Sequence, residues 1–146
     1  MYSILSKVSA VMQTLFSGEL FKDPEGGPDI PLQFYIGALP EKRHDSAQGV
    51  DFPYCLVTTG AFNSGSNSGS LNVSITIGTY NNDIPENVFQ DDLDRIYTKL
   101  LTVASNVKKA GVPAESETSG TFDELKKPYY ITSCSIGCRF VVNTSC

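Results

Sequence analysis

Apolar residues near the start of the chain recur at three- and four-residue steps: Ile4, Leu5, Val8, Val11, Met12, Leu15 and Phe16. That spacing lays them on one stripe of a helix from about Ser3 to Ser17, and Gly18 supplies a C-terminal cap. Pro24, Gly26, Gly27, Pro28 and Pro31 then remove donors and helical backbone angles, so residues 22–31 read as a flexible loop. Leu32 to Leu39 reads as a short strand. The following loop, 40–50, gathers charges and the single histidine without apolar periodicity.

Two β-branched runs follow, Phe52 to Thr59 and Ser70 to Tyr80. In the second, Leu71, Val73, Ile75 and Ile77 alternate with Asn72, Ser74, Thr76 and Gly78, which gives one apolar and one wet face. This half-buried strand is expected to pair antiparallel with Phe52–Thr59. Every residue of 60–69 except Phe62 is small or turn-forming. The segment therefore reads as a flexible hairpin loop, cheap to bend and costly to order.

After Asn81-Asn82-Asp83-Ile84-Pro85, Phe89, Leu93, Ile96, Leu100, Ala104 and Val107 keep helical spacing for about six turns. Asp83 lies in the cap region, Pro85 suits the first turn, and Tyr97 and Leu101 flank the stripe. Gly111 and Pro113 stop the helix. Residues 112–127 are polar and read as a loop with a short edge strand, with strand, helix and no ordered element all left open by the pattern. Tyr129 to Val142 alternates along one long closing strand, with Tyr130, Thr132, Cys134, Ile136, Cys138, Phe140 and Val142 on one face and a candidate bulge at Gly137. The order is α-β-β-β-α-β. No internal repeat or linker divides residues 1–146, which predicts a single domain.

Composition narrows the class. The chain has 146 residues, with 40% hydrophobic and 18% charged, and a mean hydropathy of -0.11. No window approaches the ~18 apolar residues of a bilayer span, so no membrane partner is expected. Eleven Lys and Arg stand against 16 Asp and Glu, a formal net charge of -5. That balance disfavours stable binding to a phosphate backbone, which depends on cationic side chains displacing counterions. The N-terminal stretch lacks the regions of a secretory signal, so a cytoplasmic setting is expected, with free thiols rather than disulfides among the four cysteines. Cys134 and Cys138 would lie about 13 Å apart along one strand, beyond disulfide reach. Cys55, on a strand expected to neighbour theirs, could meet one of them.

Candidate chemistry is sparse. His44-Asp45-Ser46 holds the residue types of a hydrolase triad, but consecutive loop side chains point apart and cannot align. A second histidine and a nucleophile elbow are both missing from the sequence. No catalytic, metal or cofactor residue is assigned, and no enzyme activity is expected. Charge, however, is polarised. Residues 81–98 carry five acids against Arg95, whereas residues 99–146 carry six bases against four acids. Helix-dipole compensation accounts for this. A subunit interface is the functional alternative, with the acidic Asp91 and Asp94 of one copy meeting Lys108, Lys109, Lys126 and Lys127 of the next. Phe62, with Asn63, Ser66 and Asn67 around it, would anchor a segment that orders against a partner.

A leading amphipathic helix, then Asp51-Phe52-Pro53-Tyr54-Cys55-Leu56-Val57-Thr58, then Ile75-Thr76-Ile77-Gly78-Thr79-Tyr80-Asn81-Asn82, resembles the tail-terminator and tail-completion proteins of long-tailed bacteriophages, siphovirus- and myovirus-type alike. Gln90-Asp91-Asp92-Leu93-Asp94-Arg95-Ile96 and Pro128-Tyr129-Tyr130 continue the similarity, which spans most of the chain through patterns of packing and turns. The resemblance implies an α+β fold, a mixed, mainly antiparallel sheet with two helices packed on one face. It also implies a homo-oligomer, a hexameric ring that caps the head-proximal end of the tail tube, stops its polymerisation and joins it to the head connector. The partners would be the tail tube protein and the head-completion or connector protein, with DNA only passing through the lumen, in a virion assembled in the host cytoplasm. Another neck or minor tail protein is the alternative, and a small-ligand-binding α/β domain a more distant one.

Overall fold

The computed structural model describes residues 2–23, 26–38, 52–64, 68–80, 89–126 and 129–141. Its elements are α1 (Tyr2–Leu15), β1 (Gln33–Ile36), β2 (Tyr54–Ser64), β3 (Ser68–Tyr80), α2 (Phe89–Leu100), α3 (Val103–Lys109), β4 (Ala114–Lys126) and β5 (Tyr129–Val141). The alternation along β3 sets the architecture. Leu71, Val73, Ile75 and Ile77 are buried, whereas Asn72 is exposed and Ser74 and Thr76 are half-buried. A strand with one apolar face must set that face against apolar neighbours, and β3 does so from the middle of the sheet.

The strand order is β1-β2-β3-β5-β4. β3 is antiparallel to both β2 and β5, and β4 is antiparallel to β5, while β1 runs parallel to β2. The sheet is thus mixed and mainly antiparallel in an α+β fold, as the sequence predicts, and the Phe52–Thr59 run pairs antiparallel with β3. Across the inner face, Ile75 sits between Val57 and Cys134, Val73 beside Ile136, and Leu71 beside Cys138. Leu5, Val8, Met12 and Phe16 from α1, Ile96 and Leu100 from α2, and Val103 and Val107 from α3 close over these side chains in one core cluster. The outer face carries Thr58, Ser74, Thr76, Ser133 and Ser135, all half-buried.

The helix expected after Pro85 is two helices, which brings the described helices to three and the order to α-β-β-β-α-α-β-β. Its expected start, with the Asp83 and Pro85 signals, lies outside the described residues. The break falls at Leu101-Thr102. The Thr102 N–H donates to the Lys99 carbonyl at 3.1 Å and its hydroxyl donates to the same oxygen at 2.9 Å, which tightens the turn and redirects the chain.

Residues 60–69 are mostly strand rather than loop. β2 runs to Ser64 and β3 starts at Ser68, with Ser64 opposite Gly69 and Ser68 opposite Val141. Pairing on both sides of β3 satisfies the backbone of residues whose side chains contribute little. Residues 112–127 hold the 13-residue strand β4. Two register slips lie on β4, between Ala114 and Thr118 and between Glu124 and Lys126, and β5 runs unbroken past Gly137 against β3. The strand expected over Leu32 to Leu39 is Gln33–Ile36, and the 22–31 loop is closed by a pair of hydrogen bonds between Phe21 and Ile30 at 2.8 Å each. The 40–50 loop lies outside the described residues. Gly18 caps α1 with φ +83°, a left-handed angle that suits glycine.

Cys55, Cys134 and Cys138 are buried free thiols. β3 lies between β2 and β5, which puts Cys55 two strand spacings, about 10 Å, from the β5 cysteines and outside disulfide reach. Burial pushes the Cys55 thiol from 9.0 up to about 12, and burial raises Cys134 too. At the outer end of β2, the Phe52 and Tyr54 rings meet edge-on at 5.0 Å, and both lie over Gly78, Tyr54's partner in the ladder. A Cβ at Gly78 would sit 2.6 Å from Tyr54 Cζ and 2.8 Å from Phe52 Cε2, too close for either ring to stay.

Two outcomes follow from this packing. Gly78→Ala lowers unfolding free energy by ~1–3 kcal/mol, the usual cost of overpacking, as read by urea unfolding; an unchanged midpoint would contradict the ring contact. Because the folded Cys55 thiol holds its proton above the unfolded thiol's 9.0, its contribution to stability is complete below that value and is lost as pH rises from there through about 12. Wild type therefore loses more stability than Cys55→Ala over that alkaline range, and parallel profiles would contradict it.

Candidate functional site

α1 and α3 lie side by side over the sheet, and their inner residues are consumed by the core. Their shoulders are not. Val11 and Leu15 on α1 and Asn106 on α3 are half-buried, and with Lys7, Thr14 and Lys109 they line an open groove of about 380 Å³. The Lys7 ammonium reaches the C-terminal end of α3, 3.6 Å from where a Gly111 Cβ would stand. Lys7, Lys108 and Lys109 thus gather where the α3 dipole is negative, which favours cations there. The groove is apolar along its length and basic at one end.

α2 presents a contrasting surface. Its buried side holds Leu93, Ile96 and Leu100, and its outward side holds Asp94, Tyr97 and Thr98, with Leu101 just past its end. Leu101 is 83% exposed and Tyr97 40%. A side chain as apolar as Leu101 gains nothing by standing in water, and an acid lies one helical step or two along the same stripe.

Arg95 anchors α2 to the rest of the domain. Its guanidinium donates to Glu19 Oε2 at 2.8 Å, to the Leu20 carbonyl at 2.9 Å and to Asp92 Oδ1 at 2.7 Å. It also lies 4.3 Å over the Phe21 ring. Partial burial works against its charge, and the hydrogen bonds to Asp92 and Glu19 more than compensate. Lys99 adds a longer contact to Glu19 at 4.0 Å. Asp92 is therefore engaged inside the chain, while Asp94 faces outward.

A smaller cavity of about 180 Å³ lies between α2 and the β4–β5 edge, lined by Tyr97, Leu100, Leu101, Gly120, Thr132 and Cys134 among others. Its polar groups do not converge into an acid–base arrangement. Among the described residues, no three His, Cys, Asp or Glu side chains come close enough to hold a metal ion. The His44-Asp45-Ser46 stretch lies outside the described residues. No described helix is long and apolar enough to cross a membrane.

The residues expected at an interface do not form one patch. Phe62 projects from β2 just after the Thr59/Phe62 register shift and is 73% exposed, opposite buried Leu71. Asn63, on the same strand as Phe62, pairs with Ser70 of β3, and Ser66 and Asn67 lie outside the described residues. Asp91 and Asp94 fall on α2. Lys108 and Lys109 close α3, but Lys126 is at the far end of β4 opposite Tyr129, about 30 Å along the strands from Ala114, and Lys127 is outside the described residues. Lys108 and Lys109 instead join Lys7, about a hundred residues away in sequence, a neighbour no local spacing could show. Leu101 and Tyr97 were legible as residues off the α2 stripe, without a reason to stand exposed.

Compared with protein-family models and with curated proteins, the chain matches no family and no curated sequence.

The Arg95 contacts yield a checkable magnitude. Arg95→Ala costs ~1–2 kcal/mol in urea unfolding, the sum expected of a partly exposed ion-pair network and one cation–π contact, and the loss shrinks at high salt. A neutral substitution would show that α2 is held by its apolar face alone.

Proposed function

We propose that this chain is a structural subunit of a long-tailed bacteriophage, a tail-terminator or tail-completion protein. In this reading, copies form a ring, expected to be a hexamer, on the head-proximal end of the tail tube. The ring stops tube polymerisation and offers a surface to the head-completion or connector protein.

The observation that carries the reading is where the resembling segments fall. Tyr54–Thr58 lies in β2, Ile75–Tyr80 in β3, Gln90–Ile96 in α2 and Tyr129-Tyr130 at the start of β5. Phe52-Pro53 of the same segments precede β2, and Asp51, Asn81, Asn82 and Pro128 lie outside the described residues; the rest of the similarity falls on the framework of an α+β domain in chain order. Support also comes from a sheet whose described helices all pack on one face and from exposed Phe62, Tyr97 and Leu101, apolar side chains suited to burial by neighbouring subunits. The net charge of -5 fits a ring through which DNA passes without being held, since carboxylates repel phosphate.

Purified protein added to polymerising tail tube protein is expected to arrest elongation at substoichiometric amounts and to leave a ring on one end of each tube in electron micrographs. Tubes that grow to control lengths with bare ends would overturn the reading.

A further inference from the structure

We infer that the outward stripe of α2 on one copy docks into the α1–α3 groove of the next, so that the subunits join head to tail. The ring closure rests on the function proposed above; the contact itself rests on the two surfaces.

The surfaces match in length, polarity and charge. From Asp94 to Leu101 a helical path rises about 10 Å, and from Lys7 to Leu15 α1 rises about 12 Å. Asp94 begins the stripe, and Tyr97 and Leu101 end it. In the groove, Lys7 and Lys109 mark the basic end and Val11 and Leu15 the apolar floor. Laid parallel to α1, α2 puts Asp94 against the two ammonium groups and buries Tyr97 and Leu101 on Val11 and Leu15, as a helix ridge sits in a groove.

Leu101 at 83% exposure and Tyr97 at 40% gain the most from this burial, and the partly exposed Val11 and Leu15 lose their remaining water contact. The groove and the stripe are different patches on one chain, so the contact is heterologous. Each added copy leaves one groove and one stripe free until the set closes on itself. The carboxylate–ammonium pairing sets orientation and encounter rate, and salt weakens it.

Charge reversal tests the contact by sedimentation velocity at low ionic strength. Asp94→Lys and Lys109→Glu both alter exposed positions and leave the fold intact. Each alone weakens self-association by ~10-fold or more. Mixed in equal amounts they associate again, because the Asp94→Lys chain keeps an intact groove and the Lys109→Glu chain keeps an intact stripe.

Single variants that associate like wild type, a mixture that stays monomeric, or a wild-type chain that is monomeric at every concentration would each overturn the inference. A second arm uses Thr14→Cys with Leu101→Cys in a Cys146→Ser background. Mild oxidation yields a ladder of dimers, trimers and larger species, whereas dimers alone would reject the head-to-tail arrangement. If charge rescue succeeds while tube growth is unaffected, the contact stands and the phage reading fails. If tube growth is arrested without charge rescue, the reverse holds.

Discussion

The buried alternation on β3 is the constraint on which the rest depends. Leu71, Val73, Ile75 and Ile77 project to one side of a central strand, and β2 and β5 extend that apolar surface with Val57, Ile136 and Cys138. A surface of this width exceeds what one helix covers. α1 takes the β1–β2 side, and the α2–α3 pair takes the rest, with Arg95 clamping α2 to the Glu19–Phe21 segment. Two helical bodies set side by side meet at their inner residues and part at their shoulders. The α1–α3 groove is the consequence of covering one sheet with two bodies.

Elements that bury a face were legible in the sequence. The three- and four-residue steps of α1 and the alternation of β3 and β5 each report a core-facing surface, and the structure bears out all three. β4 was not legible, because Glu115-Ser116-Glu117-Thr118-Ser119-Gly120 is polar on both of its faces. Its strand state comes from backbone pairing to β5, which leaves no trace in side-chain pattern. The same applies to Asn63-Ser64 and Ser68-Gly69, whose small residues read as a loop while the ladder orders them. The break at Thr102 depends on a hydroxyl accepted by the Lys99 carbonyl, a local bond that periodicity cannot reveal.

The site was legible only as charge. The acidic and basic halves of the chain could be counted, but the grouping of bases could not. Lys126 follows β4 away from Lys109, while Lys7 comes to it across the helix pair. Tertiary packing decides which like charges share a patch, so a linear count joins residues that the fold separates. The groove itself is a gap between elements, and no residue encodes a gap.

The open groove between α1 and α3, and the exposed Tyr97 on α2 with Leu101 just past its end, are the two surfaces on which the proposed self-association rests. In the proposed assembly, burial of Leu101 and Tyr97 would add stability in the way Ile75 adds to the fold, by removing apolar area from water. The most direct measurement is the native mass of the purified protein across a dilution series with reductant present. Head-to-tail docking gives a monomer at high dilution that converts to one closed oligomer of fixed size as concentration rises. A monomer at every concentration, or an open distribution of sizes without a limit, would contradict it.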